Sequence, residues 1–361
     1  FDLGSSFTTG ITKNAYMALA QALGQAIENP PLYDVIQQLA VVDESILEQL
    51  GVDVRGLIPN VVRKNPELRD QKGVQVFEDE WGVTWSRPPE SLYFTAVSSR
   101  LSGPLTCQDI EAFPWPDPTD PRLFAGLGTQ ARAWHERGYA IILESLCAGI
   151  FEMGCRVRGT EQFLMDLVLE PELAQALLDK LVVIKIRFYQ AAAQQIGPYV
   201  QFVREGDDVA GQESLLISPQ IYRECIKPRH KQLIAAQKAC FPAPFFGWLH
   251  TDGAIYDLLE DLIDIGIDIL NPLQLTAKGM DAQKIKAEYG RDLSFWGGGV
   301  NTQQILPHGT PEEVKQDVTQ RIRSLKADGG FVFGTVHNVQ DDVPVENLLA
   351  MLEAFEQNRQ Y

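Results

Sequence analysis

Short apolar runs centred on Asp2, Val54, Ile142, Phe202, Phe246, Ile269, Phe295 and Val332 are for the most part followed by amphipathic, helix-spaced text. Nothing constrains the fold more than that repetition. A strand that hands over to a helix and then to another strand builds parallel sheet, because the crossover returns the chain to the same end. Eight such units in 361 residues predict an α/β fold of the (β/α)8 TIM-barrel type, with residues 1–361 as a single domain. Helices are expected at 12–23, 44–50, 172–195, 219–239, 254–265, 282–289, 311–327 and 345–357. A dinucleotide-binding sheet is a weak alternative. No G-x-G-x-x-G follows the first strand, and the glycine run at 297–299 lacks that spacing.

Residues 74–97 break the rhythm. V-Q-V-F-E-D-E-W-G-V-T-W alternates, turns near Trp81 and Gly82, meets a Pro-Pro break and continues into strand-like text. We read 74–98 as a β-hairpin excursion between the second and third strands. Trp81 and Trp85 either line a pocket rim or pack the hairpin, the commoner role. A composition of 45% hydrophobic and 22% charged residues supplies ample core. No run approaches 18 apolar residues, so no membrane span is expected. A net charge of −17 argues against a nucleic-acid partner, which needs a basic surface. Five cysteines without a C-x-x-C pair fit a reducing, cytoplasmic setting with thiols as core filler. The chain opens at Phe1 inside an apparent strand and without Met, so a preceding segment is expected.

In a barrel of this kind chemistry gathers at the C-terminal ends of the strands. Those ends carry Asp2, Arg55, Glu144, Arg204 to Asp208, His250, Asp252, Asn271, Gln274, Asn301, His337 and Asn338. In P-F-F-G-W-L-H-T-D-G, residues 244–253, side chains two apart share a face, so His250 and Asp252 point the same way. An imidazole and a carboxylate so placed can bind a metal or move protons. The alternative is a helix cap, Asp252, beside a hydrogen-bonded histidine. Of five histidines, His250 and His337 end two different strands, whereas His135, His230 and His308 read as surface or capping residues. With Glu205 from a third strand, His250, Asp252 and His337 form a nitrogen and oxygen donor set suited to one divalent ion such as zinc. A hydrogen-bonded mouth without metal is the competing reading. Asp207 and Asp208 are adjacent carboxylates that raise each other's pKa unless a cation is near. They and Asp2 are the candidate catalytic groups. Arg55, Arg204, Asn271, Gln274 and Asn338 are the candidate substrate contacts.

Five stretches carry a family resemblance: G-D-D-V-A-G-Q-E-S-L-L-I-S-P at 206–219, G-W-L-H-T-D-G at 247–253, D-I-L-N-P-L-Q at 268–274, F-W-G-G-G-V-N-T-Q at 295–303, and G-G-F-V-F-G-T-V-H-N-V-Q at 329–340. V-P-V-E-N-L follows at 343–348. On these the chain resembles the uroporphyrinogen decarboxylase superfamily over nearly its whole length, which implies a (β/α)8 barrel. Two branches bear on function. True decarboxylases hold their polycarboxylate substrate with an R-Q-A-G-R stretch that this chain lacks, although His337 matches the family's histidine near the last strand. The other branch transfers methyl groups between corrinoid proteins and thiols and binds zinc through H-x-C and a later cysteine. Here Asp252 stands at the first cysteine and His337 near the later one, so the resemblance carries over His250 directly and the other two as substitutions. Oxygen and nitrogen in place of thiolate make the metal harder and a better Lewis acid.

The resemblance therefore implies a zinc-dependent methyltransferase acting on a small methylated substrate, with a corrinoid supplied by a partner protein, and a homodimer. The alternative is a cofactor-independent decarboxylase of a porphyrinogen or other carboxylic acid. In it Asp2, Asp207 or Asp208 would stabilise a cationic intermediate and arginines would grip carboxylates. Only Arg55 and Arg204 fall near strand ends, and the −17 charge repels a polyanion. A non-enzymatic binding barrel fits the polar crowding at the strand ends least.

Overall fold

A computed structural model describes residues 1–61, 64 and 66–360. Seven parallel strands form one curled sheet in sequence order. They are β1 (Val54–Leu57), β2 (Ala140–Leu143), β3 (Phe202–Gly206), β4 (Phe246–His250), β5 (Ile269–Asn271), β6 (Ser294–Trp296) and β7 (Phe331–Val332). The stretch around Asp2, expected as an eighth strand, is not one. Asp53 N donates to Phe1 O at 2.9 Å and Asp2 N donates to Phe333 O at 3.0 Å, so the segment touches both edges of the sheet. It makes one backbone bond to each side and then turns at Gly4, whose φ of 85° suits glycine, before a ladder can build.

Alternation along the strands sorts the side chains into two sets. Val54, Ile142, Phe202, Trp248, Ile269 and Trp296 pack together inside the curl. Trp296 meets Phe202 and Trp248 nearly edge-on, with ring centroids 5.4 and 6.0 Å apart. Burying each such side chain contributes roughly 1.5–3 kcal/mol. These rings plug the N-terminal end, so the inward positions one layer further on are free to be polar. The opposite set, Leu57, Ile141, Leu143, Val203, Leu249, Leu270 and Phe295, packs outward in the main core beneath the helices.

Between β1 and β2 the chain makes a separate antiparallel sheet of four strands, Arg69–Gln71, Val74–Glu78, Val83–Arg87 and Thr95–Ser99. The excursion expected at 74–98 covers three of these four strands, and Arg69–Gln71 adds a strand ahead of it. Trp81 and Trp85 are buried, and Trp85 Nε1 donates to Asp79 at 2.8 Å, so both pack the sheet. The long helix α2 (Pro171–Ile196) follows α1 (Ile150–Arg158). The single helix expected at 219–239 is broken into a turn at Pro219–Ile221, a π-helical segment at Tyr222–Ile226 and α3 (Lys227–Cys240). Pro228 has no N–H for the regular ladder, and the widened turn absorbs that gap. After β4 helical structure begins only at Tyr256, so Asp252 is not a helix cap. Among the described residues no helix is long and apolar enough to cross a membrane.

Candidate metal centre

His250 ends β4 on its inward face, and its register partner on β5 is Asn271. Both are buried. Asn271 Nδ2 donates to the Trp296 carbonyl at 2.8 Å, which can only accept, so the amide oxygen is turned to His250. His250 Nδ1 then donates to Asn271 Oδ1 at 2.7 Å. This network places a proton on Nδ1, so in the neutral ring it is Nε2 that carries the lone pair, facing the mouth. Thr8 Oγ1 also donates to Asn271 Oδ1, at 3.5 Å.

His250, Asp252 and His337 each present one ligand atom within 4.8 Å of the others. The two imidazole centroids lie 5.6 Å apart, and an Asp252 oxygen lies 3.6 Å from His250 Nε2. Asp208 lies 3.7 Å from the same nitrogen and accepts from Asp252 N at 2.9 Å. Gln274 accepts from Gly253 N at 2.6 Å, which fixes the loop that carries Asp252. Burial pulls His337 down to about 4, leaving a neutral ring at neutral pH. Burial lowers His250 too, but the Asp252 charge beside it prevails and holds it above its ordinary value. Burial pushes Asp252 up, yet the His250 imidazole outweighs that and keeps the carboxyl below the usual range. Burial, then the Glu152 charge, raises Asp208 to about 7.

These residues fit a divalent ion. Among the described residues Asp252 Oδ1 is buried without a hydrogen-bond partner, an arrangement that costs about 1–3 kcal/mol unless a ligand is met. The neutral His337 ring, the lone pair on His250 Nε2 and this oxygen form a donor set acceptable to zinc.

Several expected site residues lie elsewhere. Glu205 is not a ligand. It sits on the outward phase of β3, 2.8 Å from Lys185 Nζ on α2, and accepts from the Tyr189 hydroxyl. Arg55 is also outward, paired with Glu44 at 3.0 Å and stacked 3.8 Å from the Tyr139 ring centroid, so it cannot reach substrate at the mouth. Asp207 is structural rather than catalytic. It accepts from Phe151 N at 2.9 Å and Glu152 N at 2.8 Å at the start of α1, and meets His230 Nε2 at 2.8 Å. His230 is thus a buried partner of Asp207, not the surface residue its helical context suggested. Asn338 is engaged by the N-terminal loop. It accepts from Gly10 N at 2.6 Å and donates to Phe7 O at 2.8 Å.

Asp2 is inward and buried, accepting from Ser5 Oγ at 2.7 Å and Trp296 Nε1 at 2.9 Å. Burial pushes its carboxyl up against those bonds. Arg204 is inward as well, with Nη1 3.2 Å from Glu144. Sequence reasoning passed over the buried hydroxyl cluster Ser5, Ser6, Thr8 and Thr9, which packs against Asp2 and Asn271. Its only signal was the polar run S-S-F-T-T directly after an apolar opening.

Comparison with known proteins agrees with this architecture. A family model described as uroporphyrinogen decarboxylase (URO-D) matches residues 96–358. A methylated-thiol--coenzyme M methyltransferase of Methanosarcina mazei is 26% identical over 204 residues, 56% of this chain and 50% of that protein. A uroporphyrinogen decarboxylase of Wolbachia sp. subsp. Brugia malayi is 24% identical over 200 residues, 54% of this chain and 51% of the relative. The chain spans about half the length of the curated relatives it matches. A solved methyltransferase from Methanosarcina mazei superposes with a TM-score of 0.60 at 15% identity, covering 97% of this chain and 100% of its own, and shows the fold alone. With the family model matched over more than half its length, the chain belongs to the uroporphyrinogen decarboxylase family.

Proposed function

We propose that the chain is a zinc-dependent methyltransferase that acts on a small methylated substrate together with a corrinoid-carrying partner protein. The observation that carries this reading is the convergence of His250, Asp252 and His337, with His250 Nε2 turned to the mouth. His250 and His337 would hold the ion through ring nitrogens and Asp252 through a carboxylate oxygen. Zinc supplies a Lewis acid that polarises the heteroatom bearing the methyl group. Asn271 keeps the proton on the far side of the His250 ring. Asp208, raised to about 7, can hold a proton or give it up near neutral pH, where the departing heteroatom needs one. Among the described residues the clustered donors include no cysteine, which favours an oxygen- or nitrogen-bound methyl over a thiol. The corrinoid, the homodimer and a cytoplasmic location belong to this proposal as extensions of the family resemblance.

Decarboxylation is the second reading. It is favoured by the relatives named uroporphyrinogen decarboxylase at 24% and 27% identity and by the buried carboxyl of Asp2, held above its usual range. Elemental analysis of the purified protein and of His250→Ala and His337→Ala separates the two. Stoichiometric zinc lost in both variants supports methyl transfer. A wild type that takes up no zinc, or variants that keep it, removes that reading and moves the decarboxylase ahead.

A further inference from the structure

Arg204 lies on the inward phase of β3, beside Trp248 in the register with β4. Two residues on, Gly206 pairs with His250. A Cβ built on Gly206 would stand 2.9–3.2 Å from Nη2, Cζ and Nη1 of Arg204. The guanidinium therefore climbs one layer and fills the slot that a side chain at 206 would take. That slot neighbours the His250 ring, with about 5 Å between adjacent strands. Its charge is felt across the metal set, where it opposes protonation of both histidines and favours the Asp252 carboxylate.

Arg204 is only 6% exposed, and among the described residues its charged partner is Glu144, 3.2 Å from Nη1. Glu144 cannot swing round to serve the rest of the fork, because Phe7 N at 2.8 Å and Ser145 N at 2.9 Å donate to its two oxygens. Among the described residues Arg204 Nε is left buried with no hydrogen-bond partner. A buried guanidinium whose Nε has no acceptor keeps a donor in reserve, and with Nη2 beside it that edge has the geometry to match a carboxylate.

We propose that Arg204 is the anion anchor of this mouth, that the substrate is a small methylated acid whose carboxylate it takes on the Nε–Nη2 edge, and that Gly206 is the residue that makes room for it. The proposal rests on the mouth being the active site but not on the identity of the metal. It narrows the substrate class to methoxy-carboxylic acids, whose ether oxygen keeps a lone pair for the metal set while the carboxylate meets the guanidinium. A monoanion suffices for one arginine, which distinguishes this class from a polycarboxylate.

Acetate is the probe and acetamide its neutral control. Protein carrying ¹³Cζ,¹⁵Nε-arginine is titrated with each, both chelator-treated and zinc-loaded, and the Arg204 resonance is assigned by its loss in Arg204→Lys. The expected result is a saturable shift with acetate, none with acetamide, in both preparations. Gly206→Ala, whose Cβ displaces the guanidinium, should weaken acetate about tenfold or more at unchanged zinc content. A silent Arg204 resonance, an equal response to acetamide, a response only in the zinc-loaded protein, or an unaltered Gly206→Ala overturns the proposal. Zinc content of the same samples tests the metal reading separately, so either idea can fail while the other stands.

Discussion

Replacing Glu205 by Gln decides whether this residue is a ligand or a buried counter-charge. In the variant the Lys185 ammonium stays fully buried but loses the carboxylate 2.8 Å away. Ser145 Oγ at 3.0 Å, Ala148 O at 3.0 Å and Cys147 O at 3.4 Å remain as acceptors. Stranding one member of a buried pair costs about 3–5 kcal/mol, and three surviving oxygens place this case at the lower end, about 3 kcal/mol. With an unfolding entropy of roughly 2.1 cal/mol/K per residue, a chain of 361 residues loses about 4 °C in Tm. Calorimetry in the presence of a chelator measures that loss, and elemental analysis measures zinc in the same protein. The double variant Lys185→Met/Glu205→Leu should regain most of the stability, because neither charge is then buried alone. A Glu205→Gln protein of wild-type Tm that no longer holds zinc would refute the reasoning and return Glu205 to the metal.

Two further outcomes follow from the mouth. Asn271→Leu should weaken zinc binding about 10–100-fold in a chelator competition, whereas Asn271→Asp, which keeps an acceptor for His250 Nδ1, should stay within a few-fold of wild type; equal affinities for the two variants would show that the amide does not set the tautomer. His337 is held at about 4 against an ordinary 6.5, so between those values the unfolded chain binds a proton that the folded chain does not, and stability of the chelator-treated protein should fall as pH drops through that window. The difference bounds the loss at roughly 3 kcal/mol, and partial exposure of the ring brings it nearer 1–2 kcal/mol. Urea titrations at pH 7 and 4.5 should show a smaller decline in His337→Gln, and the same decline in both proteins would exclude His337 as its source.

What could be seen in the sequence was whatever depended on local rhythm. Strands at Val54, Ile142, Phe202, Phe246, Ile269, Phe295 and Val332 stood out because they are short apolar runs, most with a helix behind them. His250 and Asp252 fell on one face because period two is a property of three consecutive residues. What failed depended on phase or on distant partners. Alternation says that Arg204 and Glu205 face opposite ways, but only the pairing of Gly206 with His250 says which of them is inside. Asp207 looked catalytic because the amides that occupy it belong to Phe151 and Glu152, far away in the chain. His230 shares its helix face with Ile226, Leu233, Ile234 and Gln237, all buried, and that apolar spacing was the available sign that it points inward. The opening segment reads as a strand from composition, yet Gly4 ends it after too few residues to pair.

The amide of Asn338 couples the two ends of the chain. It follows His337 directly, and its oxygen and nitrogen grip Gly10 and Phe7, contacts that close loops of 328 and 331 residues. Closures of that length are among the last that a folding chain makes, since the entropy they remove must be offset by structure already in place. His337 therefore reaches His250 and Asp252 only when the N-terminal loop is docked. Partly folded chains hold at most an incomplete set of donors, so under the proposed function metal uptake would be a readout of completed folding rather than a nucleus for it. That order would be the reverse of small zinc domains, in which the ion organises the chain.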